Sequence, residues 1–179
     1  WTRNSFQRVF NQSESDLDMK LVYDVAHNIA KVEKHKVDGK DRNLVVHRKG
    51  ATRAFPANRN EIPTKYQDLG QPVLVPGSMG TASWILLGQP NSMDLSFGST
   101  AHGAGRTMSR SKARRNFTED DVKKSLNEKG IFIKALTRDG IVEETPQAYK
   151  DVDTVVNVSH NLGIATKVAK LVPIGVIKG

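Results

Sequence analysis

The apolar residues of this chain come in short runs, and this pattern constrains the fold more than any other feature. Runs typical of strands lie at 44–46, 72–76, 82–87, 131–135, 140–143 and 166–172. Helical patterns lie at 13–36, 118–130 and 152–163. Because the two kinds of element do not alternate with the regular rhythm of a doubly wound sheet, the sequence predicts an α+β fold of short-stranded mixed sheets with helices.

The longest helical pattern runs from Ser13 to Lys36. Its apolar residues recur at spacings of three and four and form one stripe, made of Leu21, Val22, Val25, Ile29 and Val32. On such a helix His27 falls nearly opposite the stripe, on the side of Tyr23 and several lysines. A histidine of the core would lie with the valines, so His27 is either functional or simply exposed to solvent.

Turn and capping signals divide the chain further. Asp38-Gly39 predicts a turn, and the segment 47–56 is predicted to be a basic loop with a glycine inside it. Thr118-Glu119-Asp120-Asp121 is a capping-box start for a helix that Gly130 ends.

The charge balance points to a polyanionic partner. The chain has 27 Lys and Arg against 19 Asp and Glu, a formal net charge of +8 over 179 residues. Such an excess favours nucleic acid, because each neutralised phosphate releases counterions. A lysine-rich surface on a thermostable domain is the alternative that charge alone leaves open.

Several compositional features limit the class of protein. Cysteine is absent, which excludes a disulfide framework and any thiolate metal site built from this chain alone. The chain begins at Trp1 without an initiator methionine or a leader, so we expect it to be cut from inside a longer protein. No apolar run approaches the ~18 residues of a membrane span. We therefore expect a soluble, cytoplasmic protein with no membrane partner.

The segment from Phe97 to Arg106 is the strongest candidate for chemistry. It places His102 beside Gly103, Gly105 and Arg106. Glycines at this spacing let main-chain N–H groups close around a phosphate, and arginine adds a forked donor for phosphate oxygens. His102 could be a bystander that donates a hydrogen bond or a nucleophile that accepts a phosphoryl group. Basic residues follow the loop at Arg106, Arg110, Lys112, Arg114 and Arg115.

Three further candidates compete with the His102 loop. His27-Asn28 offers a metal ligand beside an amide, although no two of the five histidines are spaced i,i+4 to form a metal pair. Lys36-Val37-Asp38-Gly39 matches the Lys-x-Asp-Gly element of lysine-dependent nucleotidyltransferases, a short pattern that also occurs by chance. The small-residue turn 76–83 could donate to a nucleotide or be only a tight turn. Serine hydrolase and dinucleotide-binding patterns are not found.

Six segments together carry a family resemblance over nearly the whole chain. They are 23–30 (YDVAHNIA), 47–56 (HRKGATRAFP), 76–80 (PGSMG), 102–106 (HGAGR), 148–153 (AYKDVD) and 177–179 (IKG). They resemble the C-terminal part of the RtcB family of RNA-splicing ligases. The resemblance implies that residues 1–179 are the C-terminal part of a single RtcB-like catalytic domain, whose fold is incomplete because the N-terminal part is missing.

The resemblance implies an activity and assigns roles to individual residues. It implies a ligase that joins RNA ends bearing a 2′,3′-cyclic phosphate or 3′-phosphate to 5′-hydroxyl ends in tRNA splicing and RNA repair, with GTP as guanylyl donor and two Mn²⁺ ions. His102 would become guanylylated and His27 would bind manganese. Lys49, Arg106 and Arg110 would bind RNA phosphates. Nucleotide contacts would come from His27, Asn28, Pro76, Gly77, Ser78, Met79, Ser83, His102, Gly103, Ala104, Gly105, Tyr149 and Lys178.

One departure from the family limits what this chain can do. The family's cysteine, aspartate and two further histidine ligands lie upstream and are absent here, so we expect the fragment alone to be inactive. The expected partners are RNA, GTP, the missing N-terminal part and an archease-type activator. Two alternatives remain, a non-catalytic basic RNA-binding module and a lysine-dependent nucleotidyltransferase that uses Lys36.

Overall fold

The structure is a computed structural model, and it describes residues 1–178. Helices and short strands are mixed along the chain, which confirms the predicted α+β class. The helices are α1 (Thr2–Phe10), α2 (Glu14–Leu17), α3 (Asn91–Ser96), α4 (Arg110–Asn116), α5 (Glu119–Asn127), α6 (Arg138–Glu143) and α7 (Val152–Asn161). The strands are β1 (Asn28–Val37), β2 (Lys40–Lys49), β3 (Ala51–Arg53), β4 (Pro72–Val75), β5 (Ser83–Gly88), β6 (Ser99–Ala101), β7 (Phe132–Ala135), β8 (Ala165–Leu171) and β9 (Gly175–Lys178).

A long antiparallel hairpin of β1 and β2 replaces the helix predicted over 13–36, and that prediction is wrong. The predicted turn at Asp38-Gly39 is confirmed and closes the hairpin, with φ of 51° and 74° at the two residues. Positive φ at both positions matches the twist of paired strands, so the turn brings β1 onto β2. Strand pairing therefore overrides the helical spacing, and only the short α2 within this range is helical.

One face of the hairpin is buried although it carries charged residues. Glu33, His35 and Arg48 are exposed by only 6%, 3% and 1%. Arg48 donates two hydrogen bonds to the Glu33 carboxylate, at 2.8 and 2.7 Å, and one to Ser99 Oγ at 2.8 Å. It also donates to the carbonyl of Phe97 at 2.8 Å. Arg48 thus attaches the hairpin to the segment that leads into β6.

The main core lies between a three-stranded antiparallel sheet and α7. The strands are ordered β4-β5-β8, which confirms the strands predicted at 72–76, 82–87 and 166–172. The helix predicted over 152–163 is confirmed as α7, whose Val152 and Val156 pack against Val73, Val75 and Leu86 of the sheet. Trp84, partly buried beside this cluster, donates its indole N–H to Asp153 at 2.6 Å.

A second, smaller core lies under the parallel pair of β7 and β9. Its centre contains Val122 and Leu126 of α5, and the predicted capping box at Thr118 and Asp121 begins that helix. The strand predicted over 140–143 is wrong, because these residues form the end of α6. The Thr137 side chain caps the α6 N-terminus by accepting from the Gly140 N–H, and the helix buries Ile141 in this core.

The predicted loop over 47–56 contains two strand segments. β2 extends to Lys49, Gly50 turns the chain with φ of 71°, and β3 then pairs with β6 in antiparallel fashion. This pairing places the end of β6, and therefore the His102 loop, beside the open end of the hairpin, where β1 begins and β2 ends. None of the helices within residues 1–178 combines the length and the apolar character needed to cross a bilayer.

We predict that Glu33→Gln lowers the free energy of unfolding by about 3–5 kcal/mol at neutral pH, because Arg48 would remain buried without its counter-charge. Burial alone would raise the pKa of Glu33, but hydrogen bonds from Arg48 and His35 lower it below its ordinary 4.5. Stability from a carboxylate with a lowered pKa is complete above its ordinary value and is lost as pH falls through the folded-state value. The difference between wild type and variant should therefore shrink in acid.

Urea unfolding at a series of pH values measures this difference. Asp41→Asn is the matched control, since it removes the exposed partner of Lys34 on the same hairpin. It is expected to change stability much less than Glu33→Gln. Equal losses in the two variants, or a Glu33→Gln effect independent of pH, would contradict the prediction.

Candidate active site

Two histidines that lie far apart in the sequence stack on each other in the structure. The ring centroids of His27 and His102 are 4.2 Å apart, and the rings are inclined by only 9°. His27 immediately precedes β1 and His102 immediately follows β6. His27 is exposed and His102 is partly buried, so the pair lies at the surface and is accessible to a ligand.

The position of His27 depends on strand structure, not on the helix face that the sequence predicted. The expectation that His27 lies outside the core is confirmed, although the helical argument for it is wrong. Its neighbour Ala26 accepts a hydrogen bond from Thr52 Oγ1 at 3.1 Å. Asn28 is the first residue of β1 and is paired in register with Lys49, the last residue of β2. The predicted nucleotide contact and the predicted RNA contact therefore share one exposed rung of the hairpin.

The glycine-rich loop after His102 is held from two sides. Ala104 N–H donates to the carbonyl of Pro76 at 2.9 Å, and Lys150 N–H donates to the carbonyl of Gly105 at 2.9 Å. Gly105 is exposed and has φ of 75°, a backbone conformation that side chains other than glycine rarely adopt. A Cβ on Gly103 would lie 3.2 Å from the Pro76 carbonyl oxygen. Glycine thus permits both the turn and the close approach to the neighbouring loop.

That neighbouring loop is residues 76–80, the first part of the small-residue turn predicted at 76–83. Ser78 N–H donates to Thr81 Oγ1 at 2.7 Å, and a Cβ on Gly77 would lie 2.2 Å from the Ala82 carbonyl oxygen, so the turn requires glycine there. Met79 is 6% exposed and its side chain packs in the second core, so the nucleotide contact predicted for Met79 would have to come from its main chain. Ser83 begins β5 and is partly buried.

A cavity of about 490 Å³ opens beside this turn. Its lining combines Gly80, the last residue of the 76–80 turn, and the two small residues that follow it with Tyr149 and several charged side chains. They are Gly80, Thr81, Ala82, Lys129, Ile131, Pro146, Tyr149, Lys150, Asp151, Val152, Asp153, Lys170, Val172 and Pro173. Gly80 of the turn and Tyr149 belong to two segments that the sequence singled out separately, and they line the same cavity.

Arg106 is bound to the protein's own groups. Its guanidinium donates to the carbonyl of Met108 at 3.0 Å, to the carbonyl of Glu143 at 2.6 Å and to Tyr149 Oη at 3.1 Å. It also lies 3.4 Å from a Glu144 carboxylate oxygen. A phosphate that binds Arg106 would have to replace or join these contacts.

Glu144 is the residue of this network that sequence reasoning missed. Its carboxylate accepts from the Tyr149 hydroxyl and from Arg106 and Arg110. Burial alone would raise the pKa of Glu144, but the Tyr149 hydrogen bond and the charges of Lys178, Arg106 and Arg110 lower it overall. No spacing signal could have identified Glu144, because its partners lie in other elements. Lys178, at the end of β9, lies close enough for its positive charge to lower the pKa of the Glu144 carboxyl group.

The nucleophilic capacity of His102 depends on its protonation. Burial lowers the pKa of His102, and the nearby His27 lowers it further. A lowered pKa favours the neutral ring, whose unprotonated nitrogen carries a free electron pair. These effects favour the neutral form of His102 that a nucleophile requires.

Residues 1–178 supply too few ligands to form a metal site by themselves. No group of three or more His, Cys, Asp or Glu side chains among them could hold a metal ion. His27 is exposed, and a neutral imidazole is a common metal ligand in proteins. It would be one ligand of a site whose remaining ligands come from outside these residues.

Comparison with known proteins gives one consistent family. The family model described as tRNA-splicing ligase RtcB matches residues 1–179. The chain is 52% identical over 179 residues to the tRNA-splicing ligase RtcB of Nanoarchaeum equitans, covering 100% of this chain and 38% of that protein. It is 56% identical over 179 residues to the RtcB protein of Aeropyrum pernix, covering 100% of this chain and 37% of that protein. The chain thus spans less than two fifths of the length of these relatives.

We predict that Glu144→Gln lowers the pKa of Tyr149. Burial, the hydrogen bond to Glu144 and the charge of Glu144 raise that pKa above its ordinary 10.0 in the wild type. Removing the charge of Glu144 should return it toward the ordinary value. Tyrosine ring signals followed by NMR against pH measure the change, with Tyr149→Phe to assign the signal.

Glu143→Gln is the matched control, because Glu143 pairs with Arg110 and Arg114 but its carboxylate does not contact Tyr149. It should leave the Tyr149 titration close to that of the wild type. A Tyr149 pKa that is the same in Glu144→Gln and in the wild type would show that the two groups are not coupled.

Proposed function

Because this chain belongs to the RtcB family of tRNA-splicing ligases, we propose that it carries the nucleophile of an RNA ligase, with His102 as the residue that becomes guanylylated. The ligase joins RNA ends bearing a 3′-phosphate or 2′,3′-cyclic phosphate to 5′-hydroxyl ends. Residues 1–179 belong to a single catalytic domain, and tRNA splicing and RNA repair in the cytoplasm are its proposed setting. The observation that carries the proposal is the stack of His27 on His102 beside the glycine-rich loop.

The first step is nucleophilic attack by His102. The unprotonated ring nitrogen attacks the α-phosphorus of GTP, a P–N bond forms, and the bond to the bridging oxygen breaks so that pyrophosphate leaves. Main-chain N–H groups of Gly103 and Gly105 are suited to the α-phosphate oxygens, since neither residue has a side chain in the way. The guanosine would reach the space bordered by the 76–80 turn and Tyr149.

The second and third steps move the guanylyl group onto RNA and then release it. An oxygen of the RNA 3′-phosphate attacks the phosphorus on His102, so the P–N bond breaks and a phosphoanhydride forms. The 5′-hydroxyl of the other RNA end then attacks the activated 3′-phosphorus, and GMP leaves. A cyclic end is first opened by hydrolysis. Lys49 and the nearby arginines are proposed to hold the RNA phosphates, because cationic side chains stabilise phosphate charge.

Manganese is proposed to assist this chemistry with ligands from beyond these residues. When bound, the ion would neutralise charge on the transferring phosphate. His27 would provide the ligand from this chain, and its stacking against His102 would bring that ligand next to the nucleophile. The proposed partners are RNA, GTP, the remainder of the family's chain and an archease-type activator.

The lysine-dependent alternative places its nucleophile elsewhere. Lys36 is exposed and lies next to the Asp38-Gly39 turn, at the end of β1 opposite to Asn28. At roughly 3.3 Å per residue, eight residues of strand separate the two ends by roughly 26 Å. Lys36 therefore lies far from the glycine-rich loop, and the geometry favours His102.

We predict that α-labelled GTP leaves a guanylyl group on His102 in the complete protein, and that His102→Ala reduces labelling to background. Mass spectrometry of the labelled peptide identifies the residue. His160→Ala is the control, since His160 is an exposed histidine of α7 whose ring contacts Thr166 and takes no part in the stack. An adduct on Lys36 would support the lysine-dependent alternative, and RNA binding without any adduct would support a non-catalytic RNA-binding module.

We predict that Lys49→Ala weakens RNA binding and reduces the slope of log affinity against log salt by about one, since it removes one phosphate contact. Arg106→Ala should also weaken RNA binding, but with a smaller change of slope, because Glu144 already compensates the charge of Arg106. Fluorescence anisotropy with a labelled RNA at several salt concentrations measures the slope. Lys36→Ala is the matched control, because Lys36 is exposed on the same hairpin at its far end. An unchanged slope in Lys49→Ala would show that Lys49 does not contact phosphate, and an unchanged affinity in Arg106→Ala would show the same for Arg106.

A further inference from the structure

The main chain before His27 is attached to the rest of the protein at only a few points. Residues 19–26 form no helix or strand. Within the described residues, side chains hold this segment at Met19, whose carbonyl accepts from Arg3 at 3.1 Å, and at Val22, whose carbonyl accepts from Lys65 and Tyr66. They also hold it at Tyr23, whose hydroxyl accepts from Gln71. The next attachment along the chain is the hydrogen bond from Thr52 to the Ala26 carbonyl.

Thr52 also belongs to the structure that positions His102. It is the central residue of β3 and is 1% exposed. Its partner in the β3–β6 register is Thr100, two residues before His102. One buried residue therefore contacts the segment of His27 through its side chain and the segment of His102 through its main chain.

We propose that Thr52 is a positioning residue for the two-histidine site: its hydroxyl holds the Ala26 main chain, and through it His27, at the distance from β6 at which the two rings stack. Without that hydroxyl, no side-chain hydrogen bond within the described residues holds the main chain between Tyr23 and the start of β1. The Ala26 carbonyl would also lose its donor, which favours movement of this segment toward water. The inference rests on the proposed function only for its kinetic consequence.

Thr100 provides a control in the same rung of the same strand pair. Its hydroxyl is bonded to Ser159 Oγ on α7 at 2.9 Å, and its side chain is 7% exposed. Thr52→Val and Thr100→Val each keep a β-branched side chain in a strand and each remove one buried hydroxyl. Only the first change removes a contact with the His27 segment. Thr52→Ser restores the hydroxyl and is the rescue variant.

The first measurement is the ring-to-ring nuclear Overhauser effect between His27 and His102, with their ring-current shifts, in histidine-labelled protein. We expect the effect to be lost in Thr52→Val and kept in Thr52→Ser and in Thr100→Val. Core methyl signals of Val73 and Val156 verify that each variant is folded. If Thr52→Val does not fold, Thr52→Ala, which also removes the hydroxyl, takes its place. A wild-type ring-to-ring effect in the folded variant, or an equal loss in Thr100→Val, would overturn the proposal.

The second measurement is guanylylation of His102 in the complete protein. A misplaced reacting group slows a chemical step by up to roughly 100-fold. We expect Thr52→Val to reduce the rate constant at saturating GTP within that range, with little change in the KM for GTP, and Thr52→Ser to restore it. If wild type forms no guanylyl adduct, the proposed function fails, but the ring-to-ring measurement still decides the role of Thr52.

Discussion

The buried side chain of Arg48 holds the two halves of the candidate site in one arrangement. Its guanidinium joins Glu33 of β1 to Ser99 at the start of β6, and it also binds the Phe97 carbonyl. A buried charge is tolerated only when it is paired and its donors are satisfied. Any sliding of the hairpin along β6 would break several of these bonds at once. The register of the hairpin against β6, and with it the meeting of His27 and His102, depends on this pair.

The short elements of the fold could be predicted because their signals are local. The Asp38-Gly39 turn, the capping box at Thr118 and the strands of the central sheet each follow from a few neighbouring residues. The helix predicted over 13–36 was wrong because its apolar spacing fits two structures. The stripe residue Val32 pairs in register with Val45 of β2, a long-range contact that periodicity cannot reveal. The strand predicted at 140–143 was wrong because the Thr137 cap and the burial of Ile141 favour α6.

The site was predictable to the extent that its residues lie in recognisable segments. His27, His102 and the turn at 76–80 were singled out from sequence, and the structure brings all three regions together. Their roles with nucleotide, metal and RNA stay predictions. Glu144 and Thr52 could not be found in this way, since their importance comes from partners in other elements. An ordinary Glu or Thr has no sequence signal until the fold shows what it contacts.

The arginines after His102 are largely neutralised by neighbouring carboxylates. Arg106 and Arg110 lie against Glu144, and Arg114 lies against Glu143. The formal net charge of +8 therefore overstates the positive potential at this part of the surface. Long-range attraction of the proposed polyanion would come mainly from cations without a carboxylate partner among the described residues, such as Lys49 and Arg115, whereas Arg106, Arg110 and Arg114 would engage a group that displaces a carboxylate at short range. Long-range attraction of the polyanion and its recognition at short range would then depend on different cationic side chains.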